Sequence, residues 1–107
     1  MEGMFYVYLL HATKDNGFYI GFATDLKRRF AEHTRGASLA TKFRGPWKLI
    51  YYEADTERED AEGREKFRKS WAGRRFLRSQ LRHYLRVKGF PSRGFNQDAA
   101  AAQGSAT

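Results

Sequence analysis

Two short aromatic runs, MFYVYLL (Met4–Leu10) and FYIGF (Phe18–Phe22), stand on either side of Lys14-Asp15-Asn16-Gly17. Aromatic and β-branched residues fit a half-buried pleated strand, and Asn and Gly tolerate the positive φ of a tight turn. The pattern predicts a β-hairpin. Placing Tyr8 opposite Tyr19 and His11 opposite Asn16 leaves a loop at 12–15, an ordinary hairpin length. A chain that begins this way must then cover two sheet faces, and the rest of the sequence offers helices for both. Thr24 or Asp25 can cap a helix to about Thr34, with Leu26 and Phe30 as its buried stripe. Arg29 and His33, also four apart, share a neighbouring face. Residues 35–46 read as a loop and WKLIYYEA (Trp47–Ala54) as a third strand. Thr56-x-x-Glu59 reads as a capping box opening a helix to about Ser70. Ala72-Gly73 should break it, and a third helix should follow from about Arg75 to Val87, with Leu77, Leu81, Tyr84 and Leu85 on one face. The order β-β-α-β-α-α predicts an α/β (α+β) domain, a small three-stranded, mainly antiparallel sheet with flanking helices. It should occupy residues 1–90, with a disordered tail at 91–107.

Charge narrows the partners. The chain has 107 residues, a formal net charge of +8 and a pI near 10.0, the balance of a domain that binds polyanions. Residues 27–48 carry a net +6 and residues 64–93 a net +10, separated by an acidic segment, residues 53–65, of net −5. One block is usually a solvated face; two in so short a chain favour a phosphate-backbone partner. Cysteine is absent, so no disulfide framework or thiolate metal site exists. No apolar run approaches the roughly 20 residues of a membrane span, so a membrane is not an expected partner. MEGMFYVYLL lacks a basic leader, and a cytoplasmic location is the expectation.

The candidate polar groups are Tyr6, Tyr8, Tyr19, Arg29, His33 and Glu65. Each has a plain reading: strand tyrosines pack with a wet hydroxyl, His33 meets a helix dipole, and Glu65 pairs with Lys69 four residues on. Only the set and its spacing point further.

Tyr6-Val7-Tyr8, followed at eleven residues by Tyr19-Ile20-Gly21, resembles the paired signature of the GIY-YIG nuclease superfamily. The similarity continues through Asp25–Arg29, Glu32-His33, Pro46–Glu53 and Arg64-Glu65-Lys66, and covers about Met4 to Leu85. The chain looks most like the small stand-alone members. The resemblance implies roles for Tyr8 and Tyr19 as the signature tyrosines, Arg29 as the catalytic arginine, His33 as its support and Glu65 as the ligand of Mg²⁺ (or Mn²⁺). Two positions depart from the pattern. Tyr6 stands where the superfamily has glycine, and Ser79 and Gln80 stand at the distance of a downstream asparagine.

A lone carboxylate can hold Mg²⁺ when water and substrate phosphate complete its shell. Arg29 can fork onto the phosphate, and a tyrosine can orient or deprotonate the attacking water if its pKa, about 10 when free, suits the task. The resemblance therefore implies a metal-dependent endonuclease on DNA (single-stranded, branched or duplex, with RNA as a further substrate), of low sequence specificity and of the kind DNA repair uses, acting as a monomer or weak dimer. Lys27, Lys42, Arg44, Arg74, Arg75, Arg78 and Arg82 would grip the backbone, giving affinity without sequence readout. The alternatives are a non-catalytic nucleic-acid-binding module on the same fold, favoured by the missing asparagine, and a basic structural protein bound to ribosomal RNA.

Overall fold

The computed structural model describes residues 3–88; the tail at 91–107 lies outside them. Strands β1 (Phe5–Ala12), β2 (Phe18–Ala23) and β3 (Trp47–Asp55) form one antiparallel sheet in the order β2-β1-β3. Helix α1 (Leu26–Thr34) joins β2 to β3, and α2 (Arg58–Lys69), α3 (Trp71–Gln80) and α4 (Arg82–Val87) follow. The α+β class and the antiparallel sheet are as the pattern predicts.

The central strand divides its side chains strictly by parity. Val7 and Leu9 face a core built with Phe18, Ile20, Ala61, Leu77 and Leu85, under α2, α3 and α4. Tyr8, Leu10 and Ala12 face the opposite way, against Ala23, Trp47, Leu26 and Phe30, under α1. Leu10 is fully buried there, which stabilises the fold by roughly 1.5–3 kcal/mol.

The hairpin register differs from the expected one by two residues. Tyr8 pairs with Gly21, Leu10 with Tyr19 and His11 with Phe18. The turn moves to residues 13–16, with Asn16 at φ 59° and Asp15 Oδ1 accepting from Gly17 N at 2.8 Å. His11 explains the shift: its Nε2–H donates to Asn16 Oδ1 at 3.1 Å across the turn rather than pairing with it in the ladder, and its Nδ1 accepts from the Tyr84 hydroxyl at 2.7 Å. A slip of two leaves every side chain on its expected face, whereas a slip of one would invert them.

The helix boundaries also move. Asp25 caps α1, its Oδ1 accepting from Arg28 N at 3.1 Å. No capping box forms at α2: Glu57 is the cap residue, its side chain makes no cap hydrogen bond, and Glu59 and Asp60 meet the helix dipole instead. The break after α2 falls at Ser70, whose Oγ accepts from Gly73 N at 3.1 Å. Gly73 therefore lies inside α3, where a methyl group would collide with the Phe67 carbonyl. The predicted third helix bends at Leu81 (φ −105°, ψ 25°) into α3 and α4. Leu77, Leu81 and Leu85 all still pack on the same sheet face.

Candidate active site

The register places Gly21 directly opposite Tyr8, and a methyl group at 21 would collide with the Tyr8 hydroxyl. The Tyr8 side chain passes over the glycine, and that is the local reason for a Gly two residues after Tyr19. Beyond Gly21, Tyr8 reaches α1. Its hydroxyl lies 2.8 Å from His33 Nε2, and His33 Nδ1 lies 2.7 Å from Thr41 Oγ1. Tyr8, His33 and Thr41 are each 1–2% exposed. Three buried polar groups thus satisfy one another across β1, α1 and the 35–46 loop. Trp47 fixes the loop end of this chain, its Nε1–H donating to the Thr41 carbonyl at 3.1 Å.

Arg29 flanks the relay on the solvent side. Its guanidinium acts on the Tyr8 oxygen as a donor would, although no well-aligned hydrogen bond closes between them. Its Nη1–H donates to Glu32 at 3.2 Å, and its buried Nε has no hydrogen-bond partner among the described residues. An arginine can only donate. The Tyr8 hydrogen therefore goes to His33 Nε2, and the His33 tautomer that fits carries its hydrogen on Nδ1 and donates it to Thr41. The side chain of Arg29 is 43% exposed. One cluster thus runs from the interior, at Tyr8, to the surface.

Burial pushes the Tyr8 hydroxyl up to about 12; Arg29 opposes that rise, and Tyr19 and Glu65 add to it. Burial, and then the Arg29 charge, pull His33 below its ordinary 6.5, so the ring is neutral at pH 7. His33 is thus a hydrogen-bonded base and not a helix-dipole cation. Tyr19 is half-buried, its ring 5.1 Å from His33, 6.3 Å from Tyr8 and 6.3 Å from Trp47. Glu65 on α2 has a side chain only 24% exposed and pairs with Lys69 Nζ at 2.9 Å. Its charge is felt at Tyr8.

Among the described residues no cluster of three or more His, Asp or Glu could hold a metal ion. Glu65 is a single carboxylate, and such a donor suits a hard cation that keeps most of its waters, not zinc.

The basic residues divide. Lys27, Lys42, Arg75 and Arg82 are exposed. Arg44 is half-buried, stacked 4.9 Å over Trp47 and 3.8 Å from Asp15. Arg78 is buried at 7% exposure and Arg74 is half-buried, and both line an apolar cavity with Leu9, Phe18 and Leu77. Arg78, whose pKa burial pushes down to about 10, faces the fold and not a phosphate backbone. Helical spacing explains this, because Arg74, Leu77 and Arg78 fall on one α3 face.

Sequence reasoning missed Thr41, a loop residue with no local signal. It also missed the role of Glu53, the first residue of the acidic segment 53–65. Glu53 accepts from Arg64 Nε at 2.8 Å, Arg68 Nη2 at 2.8 Å and the Tyr51 hydroxyl at 2.9 Å. Arg68, 2% exposed, also donates to Tyr51 at 3.1 Å and Gln80 Oε1 at 3.2 Å. Gln80, weighed as a stand-in for the absent asparagine, is engaged in this network, its Nε2 donating to Tyr51 at 3.3 Å.

The three-stranded sheet thus buries a tyrosine–histidine pair under a helix bearing an arginine. The GIY-YIG catalytic domain model matches residues 4–78, and the chain belongs to the GIY-YIG family, a nuclease superfamily. Its relatives are UPF0213 proteins. One from Clostridium perfringens is 38% identical over 63 residues, 58% of this chain and 67% of the relative. One from Streptococcus pneumoniae is 39% identical over 62 residues, 57% of this chain and 62% of the relative, so the chain spans just under two thirds of that protein. One from Streptococcus pyogenes serotype M5 is 37% identical over 81 residues, covering 75% and 83%. The solution NMR structure of a UPF0213 protein from Bacillus halodurans is similar at 31% identity and a TM-score of 0.42, covering 82% of this chain and 88% of that one.

Proposed function

We propose that this protein is a divalent-metal-dependent endonuclease that hydrolyses DNA phosphodiester bonds with little sequence specificity. The observation that carries the reading is the Tyr8–His33–Thr41 relay with Arg29 at its solvent end. A pure binder needs cations at the surface; it does not need a buried hydroxyl hydrogen-bonded to a neutral imidazole.

Tyr8 stays protonated at neutral pH because burial holds its pKa near 12, so it cannot act as a free base. It can accept a proton only by passing its own to an acceptor, and His33 Nε2 stands 2.8 Å away. In the proposed step a water attacks phosphorus, its proton moves to the Tyr8 oxygen, and the Tyr8 hydrogen moves to His33 Nε2. The bond to the leaving oxygen breaks, and that oxygen takes a proton from solvent while the His33 imidazolium later returns its own. Thr41 holds the ring so that Nε2 presents its lone pair. Arg29, donor-only and partly unsatisfied, receives the phosphate and offsets the charge that grows on it. Tyr19, half-buried with its ring 5.1 Å from His33, orients the water. Glu65 would hold Mg²⁺ or Mn²⁺, which when bound neutralises phosphate charge. Lys27, Lys42, Arg75 and Arg82 remain available to the backbone.

Supercoiled plasmid, single-stranded DNA and branched DNA, each incubated with wild type and Glu65→Ala under Mg²⁺, Mn²⁺ or chelator, test this. The expected result is cleavage by wild type alone and only with metal, at similar DNA affinity for both proteins. Binding without cleavage by either protein under any metal would leave a nucleic-acid-binding module on this fold.

A further inference from the structure

The glycine of the first signature triplet is here Tyr6. Tyr6 lies two residues before Tyr8 on β1, so both side chains leave the same sheet face. Across the sheet, the residue paired with Tyr8 is Tyr52. The Tyr6 and Tyr52 rings meet edge to face, with centroids 6.0 Å apart and planes at 62°. Tyr8 is buried, but Tyr52 is 54% exposed. The two rings line a groove of about 570 Å³ together with Leu26, Phe30 and Leu49 and the opposite charges of Asp25 and Lys27. That volume is in the range of ligand clefts. Thr24 and Asp25 border both this groove and the neighbouring one that Arg29 lines, so the two grooves adjoin.

A groove lined by two tyrosines and three apolar side chains, with Arg28 and Arg29 in the groove beside it, on a chain of net charge +8, is complementary to a ligand that is flat and apolar in one part and anionic in the next. An unpaired nucleotide is such a ligand; a duplex hides its base faces in the stack. We propose that the Tyr6–Tyr52 groove is a subsite for one unpaired nucleobase beside the phosphate that Arg29 engages. The base stacks on Tyr52, Tyr6 braces that ring, and Lys27 meets the adjoining phosphate. The groove thereby selects single-stranded over fully paired DNA. This rests on the nuclease reading only for its substrate, and the test separates the two.

Binding is measured in chelator, where nothing is cut, using the shortest labelled single-stranded oligonucleotide that fills one binding site, so that its register is fixed, a set carrying one abasic site at each position in turn, and the matching duplex. Tyr52→Ala should weaken single-strand binding roughly 5- to 150-fold, the loss of one base–aromatic stack, while Tyr52→Phe should retain it. Tyr6→Gly, which restores the family residue, should give a smaller loss. Wild type should lose a similar factor at one abasic position, and Tyr52→Ala should be indifferent to that position. The abasic series needs no variant, so a misfolded mutant cannot mask the answer. A flat abasic profile, equal affinity of wild type for single strand and duplex, or no single-strand binding would overturn the subsite. This pattern without cleavage under any metal would retain the subsite and remove the nuclease reading; cleavage with a flat profile would do the reverse.

Discussion

The two faces of the sheet each bury a polar network, and the networks are built to opposite ends. On the α2 face, Glu53 receives Arg64, Arg68 and Tyr51, and Arg68 reaches on to Gln80. Hydrogen bonds from the two arginines and Tyr51 outweigh burial and hold the Glu53 carboxyl down at about 2. On the α1 face, Tyr8, His33 and Thr41 are joined as neutral groups, with burial driving Tyr8 up and His33 down. The first network is ionic and ties α2 to β3. The second keeps a proton donor beside a proton acceptor and has the partly exposed Arg29 on its solvent side. An ion pair that dense locks an element in place; a neutral hydroxyl–imidazole pair carries no net charge, and a proton crosses it only as the hydroxyl gains another. The comparison assigns a locking role to the Glu53 network and, under the proposed function, the proton transfer to the Tyr8 network, and each assignment can be broken separately.

The largest effect is expected on the locked face. Glu53→Ala leaves Arg68 buried without its carboxylate, which should cost about 3–5 kcal/mol of unfolding free energy, read as a lower urea midpoint. A loss below 1 kcal/mol would show that the network is not what holds α2. On the chemical face, Tyr8→Phe should cut turnover by on the order of 10²- to 10⁴-fold, the span of general acid–base catalysis, and Tyr19→Phe should cut it less. The reverse order would transfer the proton step to Tyr19. Arg29→Ala should cost turnover on the order of 10²- to 10³-fold while moving the urea midpoint little; a large midpoint shift would make Arg29 a structural residue.

Smaller effects come from pH, and they fall in separate windows. His33 and His11, which burial also pulls down, have folded pKa values below 6.5, so the unfolded chain binds more protons once the pH falls below 6.5. Stability should decline from there, and His33→Gln should flatten that decline. Glu53 has its folded pKa near 2 against an ordinary 4.5, so its contribution is present above 4.5 and is lost as the pH drops towards 2. Glu53→Gln should remove only this lower limb. Urea midpoints measured across both windows check the separation, and a single merged transition would contradict it.

Much of this was legible in the residues. Alternation in Phe5–Ala12 puts Tyr8 on one face and Val7 on the other, and four-residue spacing in α1 puts Leu26 and Phe30 on the sheet and Arg29 with His33 on the neighbouring face. The hairpin was legible but not its register, because His11 and Asn16 signal proximity without saying whether they pair in the ladder or cap the turn. The arginines of α3 had the right spacing for a basic face, yet the same spacing places Arg74 and Arg78 beside Leu77 against the core. Gln80 stood near the distance of the missing asparagine, and its hydrogen bonds hold it in the Arg68 network.

Periodicity and turn chemistry act over a few residues, so the local chain set the elements, their order, and which side chains share a face. The working contacts lie further apart. Tyr8 and His33 are separated by 25 positions, Glu53 and Arg68 by 15, and Thr41 meets His33 from a loop of no regular pattern. Whether an acid is solvated or locked, and whether a histidine is a cation or a base, depends on what the fold brings within 3 Å of it. Burial and partner together decide protonation, and both come into being only when the sheet closes under its helices.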